Sequence, residues 1–313
     1  MTKNPQNNNR RRALFIIRVA LALFAGTLLH AAAVSAEKEP SHLAIGYTGS
    51  AFQEATNTDI RAAVGVLVQK VAWKYFSRGE TRFYETLADM AEDLRNRKVQ
   101  VLATPIEEFM ELRKLAPIDP ILVSVSGNGP GTELLLLVRK DSGIRSLRAL
   151  RSRSIVMPPR NPRCCSLFQA WIENMLAEER CGGVEAFFST VKESRTIANG
   201  VMQVFFRQAD ACVVTQEVLA MTSELNPQIG RELVTIAHMD KLGQGIIALD
   251  RRIPEETRER IKQSFLSLYQ TPEGEQLLML FKVRRLIPFP SGYLKATEAL
   301  YARRAKNESR RNH

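Results

Sequence analysis

Short hydrophobic runs typical of β-strands alternate with amphipathic helical segments along most of the chain. The run LAIGY is predicted to be a strand, and the segment after it carries Ile60, Val64 and Val68 on one face at the helical period. Further strands are predicted at TRFY, VQVLATP and PILVSVSG, with helices between them, the first of which has Thr86 as its N-cap. This alternation predicts a mainly parallel sheet with helices on both faces.

A second unit of the same kind follows the first. GTELLLLVRKDSG predicts a long apolar strand, and after it come a short helix, the strand SIVMPP and a helix from Cys164 to about Arg180. The strands ACVVT and LVTIAHM complete this unit, and GQGIIALD predicts a strand that returns the chain to the first unit. Two further helical stretches are predicted at about 254–280 and 292–303.

The tandem units predict an α/β fold with two lobes, each a mainly parallel sheet flanked by helices. Crossing strands near 133–141 and 244–250 are expected to hinge the lobes. Ligands of such sheets bind outside the carboxyl ends of the strands, so we expect a binding cleft between the lobes. The expected division is a signal peptide at 1–36, lobe 1 at 37–137 together with 246–303, lobe 2 at 138–245, and a basic, disordered tail at 304–313.

The N-terminus has the pattern of a secretory signal peptide. Arg10, Arg11 and Arg12 form a basic region, an apolar run continues to Leu29, and small residues follow up to Ala36. We expect cleavage after Ala36 and a location in the periplasm, while retention of the segment as a membrane anchor stays open as the alternative.

Most of the excess positive charge lies at the two ends of the chain. Removal of residues 1–36 lowers the formal charge from +11 to +6, because it removes the five cations Lys3, Arg10, Arg11, Arg12 and Arg18. The interior has no basic stripe interleaved with aromatic residues. Nucleic acid is therefore not expected as a partner.

The sequence carries no enzyme signature. It lacks GxSxG, a Walker-type phosphate loop and HExxH, and its four histidines are isolated. We therefore predict no catalysis, no cofactor and no metal site, and we interpret the acidic EEF at 107–109 as a solvated helix face. A thiol enzyme remains a third hypothesis, and disulfide pairing stays open among Cys164, Cys165, Cys181 and Cys212.

The segment PPRNPRCCSLFQAW is the strongest candidate for a binding site. Helix N-termini favour acidic residues, yet Arg160 and Arg163 stand just before a predicted helix start. Free N–H groups at that start, together with arginine side chains, are suited to an anion. The residues expected there are Arg160, Arg163, Cys164, Cys165 and Ser166.

Residues with hydroxyl groups recur where predicted strands end. Parallel strands bring their carboxyl ends to one edge, so these side chains are expected to face the cleft. They are Tyr47, Thr48 and Ser50 after the first strand, Thr104 after the third, Ser126 on the strand that enters the hinge, and Thr215 in the second unit.

The order of elements, with YTGS, VLATPIEEF, ELLLLVRKDSGIRSLRALRSRSIVMPP and RQADACVVTQEVL, resembles the phosphate/phosphite/phosphonate class of periplasmic substrate-binding proteins of ABC transporters. The resemblance extends from about Leu43 to Pro290. It implies a type II periplasmic-binding-protein fold that closes on a small oxyanion and delivers it to a membrane permease. We expect a monomer, and the alternative partner is a membrane sensor kinase.

The sequence departs from this family at two points. The family usually has a serine- or threonine-rich loop where the long helix of the second lobe begins, and here the loop is RNPRCCS with Ser166 as its one hydroxyl. A position that is often acidic in binders of amino-phosphonates is Thr215. The identity of the anion therefore does not transfer directly.

Overall fold

The computed structural model describes residues 42–48, 50, 61, 62, 64–66, 68, 69, 78–126, 129–160 and 166–311. The strands are β1 (His42–Thr48), β2 (Arg78–Tyr84), β3 (Val101–Pro105), β4 (Ile118–Val125), β5 (Thr132–Arg139), β6 (Ser154–Met157), β7 (Thr190–Glu193), β8 (Ala211–Thr215), β9 (Leu233–Leu242), β10 (Gly245–Asp250) and β11 (Arg285–Pro288). The α-helices are α1 (Leu87–Arg95), α2 (Ile106–Leu115), α3 (Leu167–Glu178), α4 (Val184–Phe187), α5 (Ile197–Phe205), α6 (Gln216–Leu225), α7 (Pro227–Glu232), α8 (Glu255–Leu266), α9 (Pro272–Leu280) and α10 (Lys295–Arg311). The described residues between 61 and 69 are also helical. The expected signal peptide lies outside the described residues.

Two sheets organise the described chain, and their strands follow the same order. The first sheet runs β2-β1-β3-β10-β4-β11 and the second runs β7-β6-β8-β5-β9. The β1 strand is parallel to β2 and β3, as β6 is to β7 and β8. The strand that has just crossed from the other lobe, β10 or β5, is antiparallel to both of its neighbours. The two-lobed α/β fold predicted from the sequence is therefore confirmed.

The chain crosses between the sheets at 126–131 and again at Gly243 and Gln244. The β5 strand pairs with β8 from Leu134 to Val138, and its first residue already faces β9. All of β5 thus belongs to the second sheet, whereas the boundary expected from the sequence, after residue 137, falls inside this strand. The uninterrupted apolar run gives no sign of the crossing, which occurs before the first residue of β5.

The alternation of side chains along the strands separates the hydrophobic core into layers. Leu43 and Ile45 of β1 pack on one face of the first sheet with α8 and α9, while Ala44 packs on the other face with α1 and α2. That second layer continues into the other lobe, because one cluster of buried side chains contains both Ile106 of α2 and Leu167 of α3. This cluster of buried side chains therefore spans both lobes.

The C-terminal helix α10 packs against the second lobe. Buried Asn174 of α3 donates from Nδ2 to the carbonyl oxygen of Leu300 at 2.9 Å and accepts from Nδ2 of Asn307 at 3.1 Å. Arg304 pairs with Glu308 one turn later at 2.9 Å. These contacts extend the helix to Arg311, so residues 304–311 are helical where the sequence led us to expect a disordered tail.

Two local predictions have clear outcomes. The predicted N-cap at Thr86 is confirmed, since its side chain accepts a hydrogen bond from the backbone N–H of Asp89. The helical stretch expected at 254–280 contains two α-helices, since Thr271 caps a new helix that begins at Pro272. Within the described part of the chain, no helix has both the length and the apolar character needed to cross a bilayer.

Candidate functional site

Two hydroxyl groups at the end of β1 bind one buried carboxylate. The Thr48 Oγ1 hydroxyl donates to Oε2 of Glu108, and the Ser50 Oγ hydroxyl donates to Oε1. The two hydroxyl oxygens lie 2.8 Å apart, and the exposed fraction of Glu108 is 0%. Glu108 lies in the first turn of α2, where the helix dipole favours a negative charge. The sequence-based interpretation of EEF as a solvated helix face is therefore wrong for Glu108.

The neighbouring Glu107 lies close to the other lobe. Burial raises the pKa of this carboxyl group above its usual value, and the adjacent Glu108 carboxylate raises it further. The backbone N–H groups of Glu107 and of Leu167 act in the opposite direction. Leu167 is the first residue of α3, so the Glu107 carboxyl group lies beside the N-terminus of the helix at which the sequence predicts anion binding.

Thr104 at the end of β3 is buried and has an unsatisfied hydroxyl. Its exposed fraction is 4%, and Oγ1 has no hydrogen-bond partner within the described residues. Nearby on β4, the Oγ atom of Ser124 accepts from the backbone N–H of Gly245 at 3.1 Å. Thr104 therefore provides a donor and acceptor that no other described residue uses.

The second lobe contributes the starts of two helices. Ser166 is buried directly before α3, and its carbonyl oxygen accepts from the N–H of Ala170 at 3.0 Å. Thr215 ends β8 and caps α6, with Oγ1 accepting from the N–H of Val218 at 3.4 Å. Thr215 lies at the end of its strand and Ser166 lies directly before its helix, which are the positions that the sequence pattern predicts.

Glu217 connects the two crossings. Its Oε2 atom accepts from the Thr132 hydroxyl at 3.0 Å, and its Oε1 atom lies 3.5 Å from Nε2 of Gln244. The backbone N–H of Gln244 donates to the Tyr293 hydroxyl at 2.8 Å. Sequence reasoning missed Glu107, Glu108 and Glu217, although the first turn of a helix that follows a strand end is a recognisable position for all three residues.

The other predicted site residues have different surroundings. The Tyr47 ring is buried in the core between Phe83 and Phe281, at centroid distances of 5.7 and 6.5 Å. Arg160 is exposed, and its backbone N–H donates to Oε1 of Glu193 at 2.9 Å. Ser126 is partly buried after β4. The predictions for Arg163, Cys164 and Cys165 lie outside the described residues.

A cavity of about 460 Å³ lies beside Ser166 in the second lobe, between β6, β7, α3 and α4. Its lining combines apolar side chains with Arg160, Gln169 and Glu185. Among the described residues, no three His, Cys, Asp or Glu side chains come together as metal ligands would. Cys181 and Cys212 are buried free thiols, and burial raises the pKa of Cys212 to about 12.

Residues 57–291 match the family described as ABC transporter, phosphonate, periplasmic substrate-binding protein. The chain belongs to this family. Its members are substrate-binding components of transport systems, which agrees with the two-lobed fold and with the resemblance in the sequence. No curated protein sequence matches the chain significantly.

Several solved structures share the fold. The structure of XAC2383 from Xanthomonas citri bound to ATP has a TM-score of 0.63 at 15% identity and covers 86% of this chain and 98% of its own. The binding protein component of an ABC phosphonate transporter from Pseudomonas aeruginosa, PA3383, has a TM-score of 0.58 at 15% identity, covering 87% and 88%. PhnD1 from Prochlorococcus marinus in complex with methylphosphonate has a TM-score of 0.58 at 15% identity, covering 84% and 98%.

Proposed function

We propose that this phosphonate-family protein captures a small oxyanion of the phosphonate or phosphate type between its lobes and delivers it to an ABC transporter permease. The observation that carries the proposal is the buried, unsatisfied hydroxyl of Thr104 at the carboxyl edge of the first sheet. A closed binding protein keeps such a group for its ligand, since a buried polar atom without a partner is otherwise costly.

The proposed site takes donors from both lobes. From the first lobe comes the Thr104 hydroxyl, at an edge where the Thr48 and Ser50 hydroxyls already donate to Glu108. From the second lobe come Ser166 and the first-turn N–H groups of α3, as helix N-termini commonly bind anions. We also assign to this site the loop residues Arg163, Cys164 and Cys165, and Arg160 as a charge at its rim.

The ligand class is supported by two related proteins. PhnD1 is seen in complex with methylphosphonate, and XAC2383 is seen bound to ATP. Both ligands present tetrahedral phosphorus oxyanions. Contacts to both lobes at once would favour the closed form, and this difference in affinity couples binding to closure.

Binding is tested by calorimetric titration of the full protein with methylphosphonate, phosphite, inorganic phosphate and acetate. We expect one of the phosphorus oxyanions to bind, with a decrease in the radius of gyration measured by X-ray scattering. Failure of all of them to bind would contradict the proposal. The family favours transport over the sensory alternative, and deletion of the gene should abolish uptake of the anion that binds.

Thr104→Val separates ligand binding from folding. Because Oγ1 has no hydrogen-bond partner among the described residues, its loss should not lower the stability, while the affinity for the anion falls about tenfold. Thr190→Val, on the exposed edge strand β7, is the matched control and should bind as the wild type does. Wild-type affinity in Thr104→Val would remove Thr104 from the site.

A further inference from the structure

The cavity beside α3 in the second lobe has walls of apolar side chains. Met157 of β6 and Val191 of β7 line it from the sheet, and Phe168 and Ile172 line it from α3, one turn apart. Val184 lines it from α4. The exposed fraction of Ile172 is 0%, and the other four side chains pack against the same cluster of buried residues. The apolar walls therefore belong to the hydrophobic core of this lobe.

Most of the charged side chains that line the cavity are bound to other parts of the protein. Glu173 accepts from Nε2 of Gln169 at 2.8 Å with one oxygen, and from Nε of Arg304 with the other. The Nε atom of Arg160 lies 3.7 Å from Oε2 of Glu193, and the Arg160 backbone N–H donates to Oε1. Because these groups already have partners, the interior of the cavity is suited to an apolar group.

Glu185 is the exception among the charged residues of the lining. It is exposed in the short helix α4, and no cationic side chain of the described residues forms an ion pair with it. Its neighbours in the lining, Val184 and Ala186, are both apolar. Ligand sites typically combine apolar walls with a few polar groups that orient the ligand. A carboxylate beside an apolar wall is complementary in charge to an ammonium group on an apolar body.

We propose that this cavity binds a small amine with an aromatic body, whose ring lies between α3 and the sheet and whose ammonium group pairs with Glu185. The volume of about 460 Å³ is within the usual range of ligand sites, about 300–1,000 Å³. An apolar cavity of about 150 Å³ is already sufficient for benzene. The site is additional to the anion site and does not depend on anion binding, although Ser166 and Arg160 border both.

Phenethylamine, phenethyl alcohol and ethylamine separate the two parts of the proposed ligand. In calorimetric titrations of the full protein near neutral pH, we expect phenethylamine to bind most tightly. The alcohol should bind about threefold to fivefold more weakly, because it lacks the ion pair with an exposed carboxylate. Ethylamine should bind at least about tenfold more weakly, because it lacks the ring that is buried against the apolar walls.

Glu185→Gln removes the charge and keeps the shape of the side chain. The affinity for phenethylamine should fall about threefold to fivefold, whereas the affinity for phenethyl alcohol should not change. Glu224→Gln removes an exposed carboxylate on α6 in the same lobe. This variant is the matched control and should keep the wild-type affinity for both probes.

Val191→Trp places a ring inside the cavity and should abolish binding of both aromatic probes. Ala186→Trp obstructs the cavity from an exposed position of the lining, where a larger side chain leaves the core intact. Thr190→Trp adds the same ring on β7 outside the lining and should bind as the wild type does. Thermal unfolding shows that each variant is folded, and titration of the same variants with methylphosphonate tests the anion site separately.

Three results would overturn the proposed amine site. The first is absence of phenethylamine binding to the wild type. The second is equal affinity of the wild type for the amine and the alcohol, or unchanged phenethylamine binding in Glu185→Gln. The third is wild-type binding of the aromatic probes in both Val191→Trp and Ala186→Trp. None of these results bears on the binding of an oxyanion between the lobes.

Discussion

The Thr48 hydroxyl donates a hydrogen bond to Oε2 of Glu108, although the exposed fraction of both side chains is 0%. The contact joins the end of β1 to the first turn of α2 and involves residues separated by 60 positions. A buried carboxylate is tolerated only when donors surround it, and Ser50 supplies a second one. This group of three residues ties the end of β1 to the start of α2 within the first lobe.

Thr48→Val removes one donor from a buried carboxylate without changing the volume of the side chain. We expect the free energy of unfolding to fall by about 1–3 kcal/mol, because Glu108 loses a hydrogen bond that water cannot replace. Urea unfolding followed by circular dichroism measures the change. Thr190→Val on β7 should stay within about 0.5 kcal/mol of the wild type, and an equal midpoint for both variants would contradict the importance of the contact.

The raised pKa of Glu107 predicts a pH-dependent difference between the wild type and Glu107→Gln. A carboxyl group whose pKa is raised in the folded state stabilises the protein when it is protonated. This stabilisation is fully present at a pH below the usual pKa of 4.5, and it is lost as the pH rises through the higher pKa of the folded state. The Tm of the wild type relative to Glu107→Gln should therefore increase as the pH is lowered from about 7 to about 5. A constant difference in Tm would show that Glu107 is not desolvated.

The second crossing between the lobes has no room for a side chain. A methyl group on Gly243 would lie 2.2 Å from Cδ1 of Ile106 and 2.8 Å from Cε1 of Tyr293. Gly243→Ala should therefore lower the free energy of unfolding by about 1–3 kcal/mol through overpacking. Gly129→Ala, in the first crossing, meets no atom of the described residues within 4 Å and serves as the control. Similar urea midpoints for both variants would show that Ile106 moves aside freely.

Asn174 holds the C-terminal helix against the second lobe. Its side chain bonds both Leu300 and Asn307, and only 4% of the residue is exposed. Asn174→Ala should reduce hydrogen-exchange protection of residues 295–311 by about tenfold, corresponding to about 1.4 kcal/mol. Asn199→Ala on the exposed face of α5 should leave that protection unchanged. Unaltered exchange in both variants would show that apolar contacts alone anchor α10.

Local sequence patterns predicted most of the secondary structure and the two-lobed fold. The alternation of β1 residues between two faces and the cap at Thr86 depend on near neighbours in the sequence, so they were predictable. The hydroxyls of Thr48, Ser50 and Thr104 were also predictable as a group, because strand ends in a parallel sheet meet at one edge. Their individual roles were not.

Contacts between distant segments required the folded chain. Glu107 and Glu108 look alike in the sequence, and only the approach of β1 on one side and of α3 on the other gives them separate surroundings. The end of α10 likewise depends on Asn174 and Glu173 of α3, more than a hundred residues earlier in the chain.

The sequence by itself determined the elements, their order and the lobes they build, because hydrophobic periodicity and capping act over a few residues. Tertiary structure alone decided which polar groups are buried, which hydroxyls bind protein and which stay unsatisfied, and where a carboxylate meets the start of a helix. Desolvation and hydrogen bonding depend on every group that surrounds an atom, and those groups come from segments that only folding brings together.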